Sequence, residues 1–117
     1  MPVDYKNKSA YHNDRSAGDG APENLTAPQA LSKIRQIASV SDNIVVVPHG
    51  KKRATQRSVP RRQIERCIRM GTIREGPFRN AHGNWQVTLY RHAAGDELTC
   101  VVAIDWPTRV IVITTYR

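Results

Sequence analysis

The chain has 117 residues, with 18 lysines and arginines against 10 acidic residues and a formal net charge of +8. That length allows one domain with one hydrophobic core. No apolar run nears the ~18 residues that span a bilayer, so no membrane role is expected. Two cysteines, Cys67 and Cys100, give neither a disulfide framework nor a zinc spacing; both sit in apolar patterns and are expected as buried free thiols. Met1 to Gly20 shows no apolar stretch flanked by positive charge, so a secretory signal is not expected and the cytoplasm is the expected location.

Residues 1 to 27 are rich in Ser, Asn, Asp, Gly and Pro. They bury too little to offset their ordering entropy and are expected to form a flexible, disordered N-terminal arm. Residues 28 to 117 are expected to form a single α+β domain. Thr26 is a plausible helix cap, with Pro28 in the first turn and Leu31, Ile34, Ile37 and Ala38 on one apolar face. That helix is expected to end between Val40 and Asn43. Ile44 to Val47 is β-branched, is bounded by Asn43 and Pro48, and predicts a strand.

Residues 49 to 79 then hold ten of the eighteen basic side chains and only two acidic ones, Glu65 and Glu75. Charge concentrated in this way reads as a surface that meets phosphate. A short helix is expected over Lys51 to Arg57. Ser58 predicts a cap for the next helix, with Pro60 near its start and Gly71 at its end. Ile64, Cys67 and Ile68 form its inward stripe, with Arg62, Arg66 and Arg69 on the other side.

Beyond Gly71 the apolar period changes to two. Strands are expected from Ile73, through Trp85–Val87–Leu89, through Leu98–Cys100–Val102–Ile104, and over Val110 to Tyr116. Turn residues separate them at Asn80–Asn84, Ala94–Asp96 and Pro107–Thr108, and short links favour antiparallel neighbours. The expected fold is two to three helices packed on one face of a four-stranded antiparallel sheet. Trp85 and Trp106 are read as core or sheet-edge packing.

His49, Arg53 and Arg57 are spaced i, i+4, i+8, so a helix there sets all three broadly on one side. Free backbone N–H groups at its start favour an anion. These groups suit RNA cleavage without a metal. The 2′-hydroxyl must lose a proton as it attacks phosphorus, and the 5′-oxygen must gain one as it leaves. Imidazoles titrate near neutrality and can serve in either role. Arginines stabilise the charge that builds on the phosphorane. His82 and His92 are possible second acid–base groups, and Tyr90 and Tyr116 could stack a base or hold a phosphate. Lys51, Lys52, Arg61, Arg62, Arg66, Arg69 and Arg91 are the candidate nucleic-acid contacts. The carboxylates Asp42, Glu65, Glu75, Asp96, Glu97 and Asp105 are scattered and no glycine-rich phosphate loop follows a strand, so neither metal nor cofactor is expected.

A short strand leading into His49, Arg53 and Arg57, then SVPRRQIERCIRMGTI, then strands ending in VIVITTYR, resembles a small bacterial domain family without assigned function. That family is similar to the RelE- and BrnT-type ribonuclease toxins of toxin–antitoxin systems. The matching positions are His49, Arg53, Arg57, Ile64, Ile68, Gly71, Ile73, Thr115 and Tyr116, and the likeness covers roughly residues 43 to 117. Gly50 departs from the alanine common after the histidine, and Lys51–Lys52 makes this copy unusually basic. The resemblance implies a RelE- and BrnT-like fold, with His49, Arg53, Arg57 and Tyr116 in the site of a metal-independent endoribonuclease. Its partners would be RNA, including ribosome-bound mRNA, and a cognate antitoxin protein. Two other expectations stand beside it. One is a non-catalytic nucleic-acid-binding module, with the two central helices as a helix-turn-helix and the strands as a wing. The other is a phage or plasmid regulator gripping an acidic partner through its basic face.

Overall fold

The computed structural model describes residues 20 to 117; most of the arm expected over residues 1 to 27 lies outside the described residues, as does the side chain of Arg53. The described chain runs α1 (Ala27–Ala38), a 3-10 turn (Ser41–Asn43), β1 (Ile44–Val46), α2 (Pro48–Gln56), α3 (Arg61–Met70), β2 (Thr72–Arg79), β3 (Trp85–Ala93), β4 (Asp96–Asp105) and β5 (Arg109–Tyr116).

Helix α1 starts where its sequence says it should. The Thr26 hydroxyl accepts the Gln29 N–H at 3.2 Å and the Thr26 N–H donates to the Gln29 side chain at 2.9 Å, a reciprocal cap that satisfies two orphan groups. The segment before it is also tied down. The Pro22 carbonyl accepts from Trp85 Nε1 and Arg79, both at 2.9 Å, and Ala21 and Leu25 pack against the core.

The sheet is the main correction to the expected fold. It has five strands, not four, and is mixed: the order is β1-β5-β4-β3-β2, with β1 parallel to β5 and every other pair antiparallel. Ile44, Val45 and Val46 pair with Val110, Ile111 and Val112. The strand itself was predictable; its partner was not, because a parallel pair joined across some sixty residues leaves no local turn signal.

Helices α1 and α3 cover one face of the sheet. Ile34, Ile64, Ile68, Leu89 and Ile104 are among its fully buried side chains, and Trp85, Val87, Cys100, Val102, Val110 and Val112 complete this helical side. Gln86, Thr88, Tyr90 and His92 alternate to the far face. Helix α2 sits elsewhere. Where β1 stops, α2 takes over its flank of β5: the Val112 carbonyl accepts the Val47 N–H at 3.3 Å, and further along the Thr115 carbonyl accepts Arg57 Nη1.

Helix α3 lacks the expected serine cap. Pro60 occupies the cap position without a side-chain bond, and Ser58 turns the chain at φ 57°. Gly71 does end the helix, but in extended backbone (φ −75°). Glycine is needed there for close approach, since a Cβ would stand 2.4 Å from the Cys67 carbonyl and 2.8 Å from that of Tyr90. Cys67 and Cys100 are buried free thiols, as expected.

Candidate nucleic-acid interface

The geometry of α2 decides where His49 points. Successive helical residues turn by about 100°. Gly50 faces β5 so closely that a Cβ would lie 3.1 Å from the Val112 and Ile113 carbonyls, and Ala54 joins the core. Lys51 and Thr55 fall on one flank, and both line a cavity of about 210 Å³ shared with Val59 and Ile64 on the helical side of the molecule. His49 therefore projects on the opposite flank, toward the far face of the sheet, and its side chain is exposed.

That far face presents aromatic and basic groups in register. Tyr116 pairs with Thr99, Thr99 with Tyr90 and Tyr90 with Thr72, giving one row across four strands. A break in the β4–β5 register between Val101 and Val102 makes this possible. Before it Val110 and Val112 face the helices. After it Thr115 opposes Cys100 on the helical side, so Tyr116 turns to the far face. Tyr116 is 42% exposed. The Arg74 guanidinium stacks over the Tyr90 ring, 3.7 Å from its centroid, a contact of cation–π type. His92 lies next along β3, opposite Glu97. His82 is at the other end of β3, in the Asn80–Asn84 turn, away from this row.

The arginines divide into two groups. Arg61 donates to the Ser41 and Ile44 carbonyls (3.1 and 2.7 Å) and pairs with Glu65 at 2.7 Å, which ties α3 to the start of β1. Arg69 donates to the Ala38 carbonyl at 2.8 Å and pairs with Glu65 at 3.2 Å, closing the end of α1. These two, expected on an open basic face, are fastened within the domain. Ser41 adds a hydrogen bond to Glu65 at 2.7 Å. That bond, with the two guanidiniums, holds the Glu65 carboxyl below its ordinary range against the opposing effect of burial. Arg57 spends one N–H on Thr115 and remains exposed, which fixes the position of the remaining guanidinium donors. Lys51, Lys52, Arg62 and Arg66 are exposed without an internal hydrogen bond or ion pair among the described residues. Arg91 is half-buried on the helical side, opposite Leu98.

No cluster of three His, Cys, Asp or Glu side chains suited to a metal ion occurs among the described residues. Among the described residues no helix is long and apolar enough to cross a membrane. Arg74 and the connection between Tyr116 and Tyr90 through Thr99 escaped sequence reasoning. Strand alternation alone placed each tyrosine, but only the register break sets them on the same face.

Residues 46–117, which run from the end of β1 through β5 and carry His49 and the basic groups of α2 and α3, match the sequence model described as Domain of unknown function (DUF4258). The chain belongs to the DUF4258 family. No curated protein and no solved structure matches it. The DUF4258 match opens at the end of β1 and runs through β5, so α1 packs onto the domain from outside the matched region.

Proposed function

We propose that this protein is a metal-independent endoribonuclease, the toxin of a toxin–antitoxin pair, that cleaves RNA by 2′-hydroxyl attack. The observation that carries the reading is the exposed His49 at the first turn of α2, on the flank turned toward the tyrosine-bearing face of the sheet. The first turn of α2 has no acidic residue, while Lys51 and Lys52 stand at its positive end. Cations there are unfavourable to an isolated helix and favourable beside a phosphate.

In this reading the scissile phosphate docks at the start of α2. His49 takes the 2′-hydroxyl proton or returns one to the 5′-oxygen, while His92, two strands across from β5 and beyond the Tyr116–Thr99–Tyr90 row, is too distant to share that phosphate. Arg57, fixed by Thr115, and Arg53, which enters on its spacing, stabilise the phosphorane. Tyr116 and the stacked Tyr90–Arg74 pair offer π-faces for bases of a single strand. The products are a 2′,3′-cyclic phosphate and a 5′-hydroxyl. A cognate antitoxin would cover this same face, and ribosome-bound mRNA is a candidate form of the substrate.

Incubation of the protein with total RNA in EDTA, beside His49→Ala and on free RNA as well as translating ribosomes, tests it. Wild type is expected to give cyclic-phosphate fragments, and His49→Ala to lower the rate at least 100-fold (typical acid–base contribution about 10² to 10⁴). Equal cleavage by both forms, or none on either substrate with salt-sensitive binding retained, would remove the catalytic reading in favour of a binding module.

A further inference from the structure

Arg91 poses a separate question from the nuclease reading. Pairing with Leu98 turns it to the helical side of the sheet, where it is half-buried. Among the described residues it makes no hydrogen bond or ion pair. A guanidinium held partly out of water without an acceptor is costly. Elsewhere in the molecule such groups are satisfied: Arg61 and Arg69 take carbonyls and Glu65, and Arg109 takes Asp105 at 2.8 Å.

Arg91 lines a cavity of about 370 Å³ between α3 and the β3–β4 hairpin, together with Gln63, Arg66 and Cys67. Arg66 likewise has no internal partner. Asp96 and Glu97 line the cavity as well. Arg117 holds both oxygens of Asp96, at 2.7 and 2.6 Å. Glu97 alternates to the far face opposite His92. The cavity wall therefore carries two guanidiniums without an internal partner, one carboxylate held by Arg117, and Glu97, whose side chain alternates away from it.

We propose that this cavity binds the phosphate group of a free, nucleotide-sized ligand, with Arg91 and Arg66 taking its oxygens. Its volume lies at the small end of the range for small-molecule sites. A single carboxylate would be satisfied by one guanidinium, whereas a phosphate monoester has oxygens and charge for two N–H forks. The Cys67 thiol on the wall is held below its ordinary range chiefly by a hydrogen bond from Cys100, with burial opposing and the nearby Arg91 charge adding to the lowering.

Calorimetry on the full chain with adenosine 5′-monophosphate, adenosine and inorganic phosphate is the test. The monophosphate is expected to bind, inorganic phosphate more weakly, and adenosine not at all. Arg91→Gln is expected to weaken the monophosphate at least tenfold and Arg91→Lys less. Lys33→Gln, which removes an equal charge over Trp106, is expected to leave binding unchanged. Thermal melts establish that each variant is folded. Equal affinity in Arg91→Gln, an equal loss in Lys33→Gln, or no binding by wild type would overturn the proposal. So would a short DNA strand that needs Arg91 while the monophosphate does not bind, since that assigns the contact to a polynucleotide.

Discussion

At the scale of single residues, Gly71 and Glu65 illustrate how little of the packing is elective. A methyl at Gly71 would press on two backbone carbonyls that cannot swing aside. Gly71→Ala is expected to destabilise the fold by about 3 kcal/mol, read as the loss in denaturant midpoint at constant slope; a change below 1 kcal/mol would mean that the α3–β3 approach relaxes. Glu65 makes a pH prediction. Its folded pKa is depressed, so its contribution is present above the ordinary glutamate value of 4.5 and is lost as pH falls through the folded value. Glu65→Gln is expected to cost about 1 kcal/mol at neutral pH and to flatten the acid limb of the melting curve. Identical acid limbs in the two proteins would show that Glu65 does not link folding to protonation. In the sequence Glu65 is only an isolated carboxylate among arginines. Its partners Ser41, Arg61 and Arg69 come from separate elements, and nothing in their spacing announces that they meet.

At the scale of elements, periodicity carried most of the fold. The α3 stripe of Ile64, Cys67 and Ile68 is buried, and the alternations through Trp85–Leu89 and Leu98–Ile104 fall on the helical face. Two features were not legible. β1 has its partner near the other end of the chain, and three residues of strand hold no clue to direction. The cap expected at Ser58 failed because the chain there adopts a left-handed turn, and Pro60 starts α3 without a side-chain acceptor. For the candidate site, the i, i+4, i+8 spacing is silent on Arg57, which lies just past the end of α2 and whose anchoring carbonyl belongs to β5. The α2–α3 pair also differs from the expected helix-turn-helix with a wing: α2 lies along a strand, and α3 is packed into the core through its apolar stripe.

At the scale of the whole molecule, the charge is concentrated but not uniformly available. Arg61, Arg69, Arg109 and Arg117 are each bound to a carboxylate of the same chain, whereas Lys51, Lys52, Arg62 and Arg66 are open. RNA affinity is therefore expected to fall steeply with salt. Replacing Lys51 and Lys52 together by Gln is expected to reduce the slope of log K against log salt by about 1 to 2. The loss per charge removed is expected to be smaller on replacing Lys33, and equal losses per charge would mean that binding follows total charge and not the position of these lysines.

The placement of α2 along β5 also limits how the protein can meet other chains. One border of the sheet is β1, three residues long before α2 takes over its flank of β5, so only a short ladder is left there to extend. The other border, β2, is interrupted in register at Glu75 and again before Phe78, and Pro77 offers no N–H to a newcomer. Within the described residues both borders are poor templates for strand addition. Fibrillar or edge-to-edge self-association is thereby disfavoured, and any protein that restrains this one must grip it through side chains on its faces, where a single charge reversal on either partner can decide who binds whom.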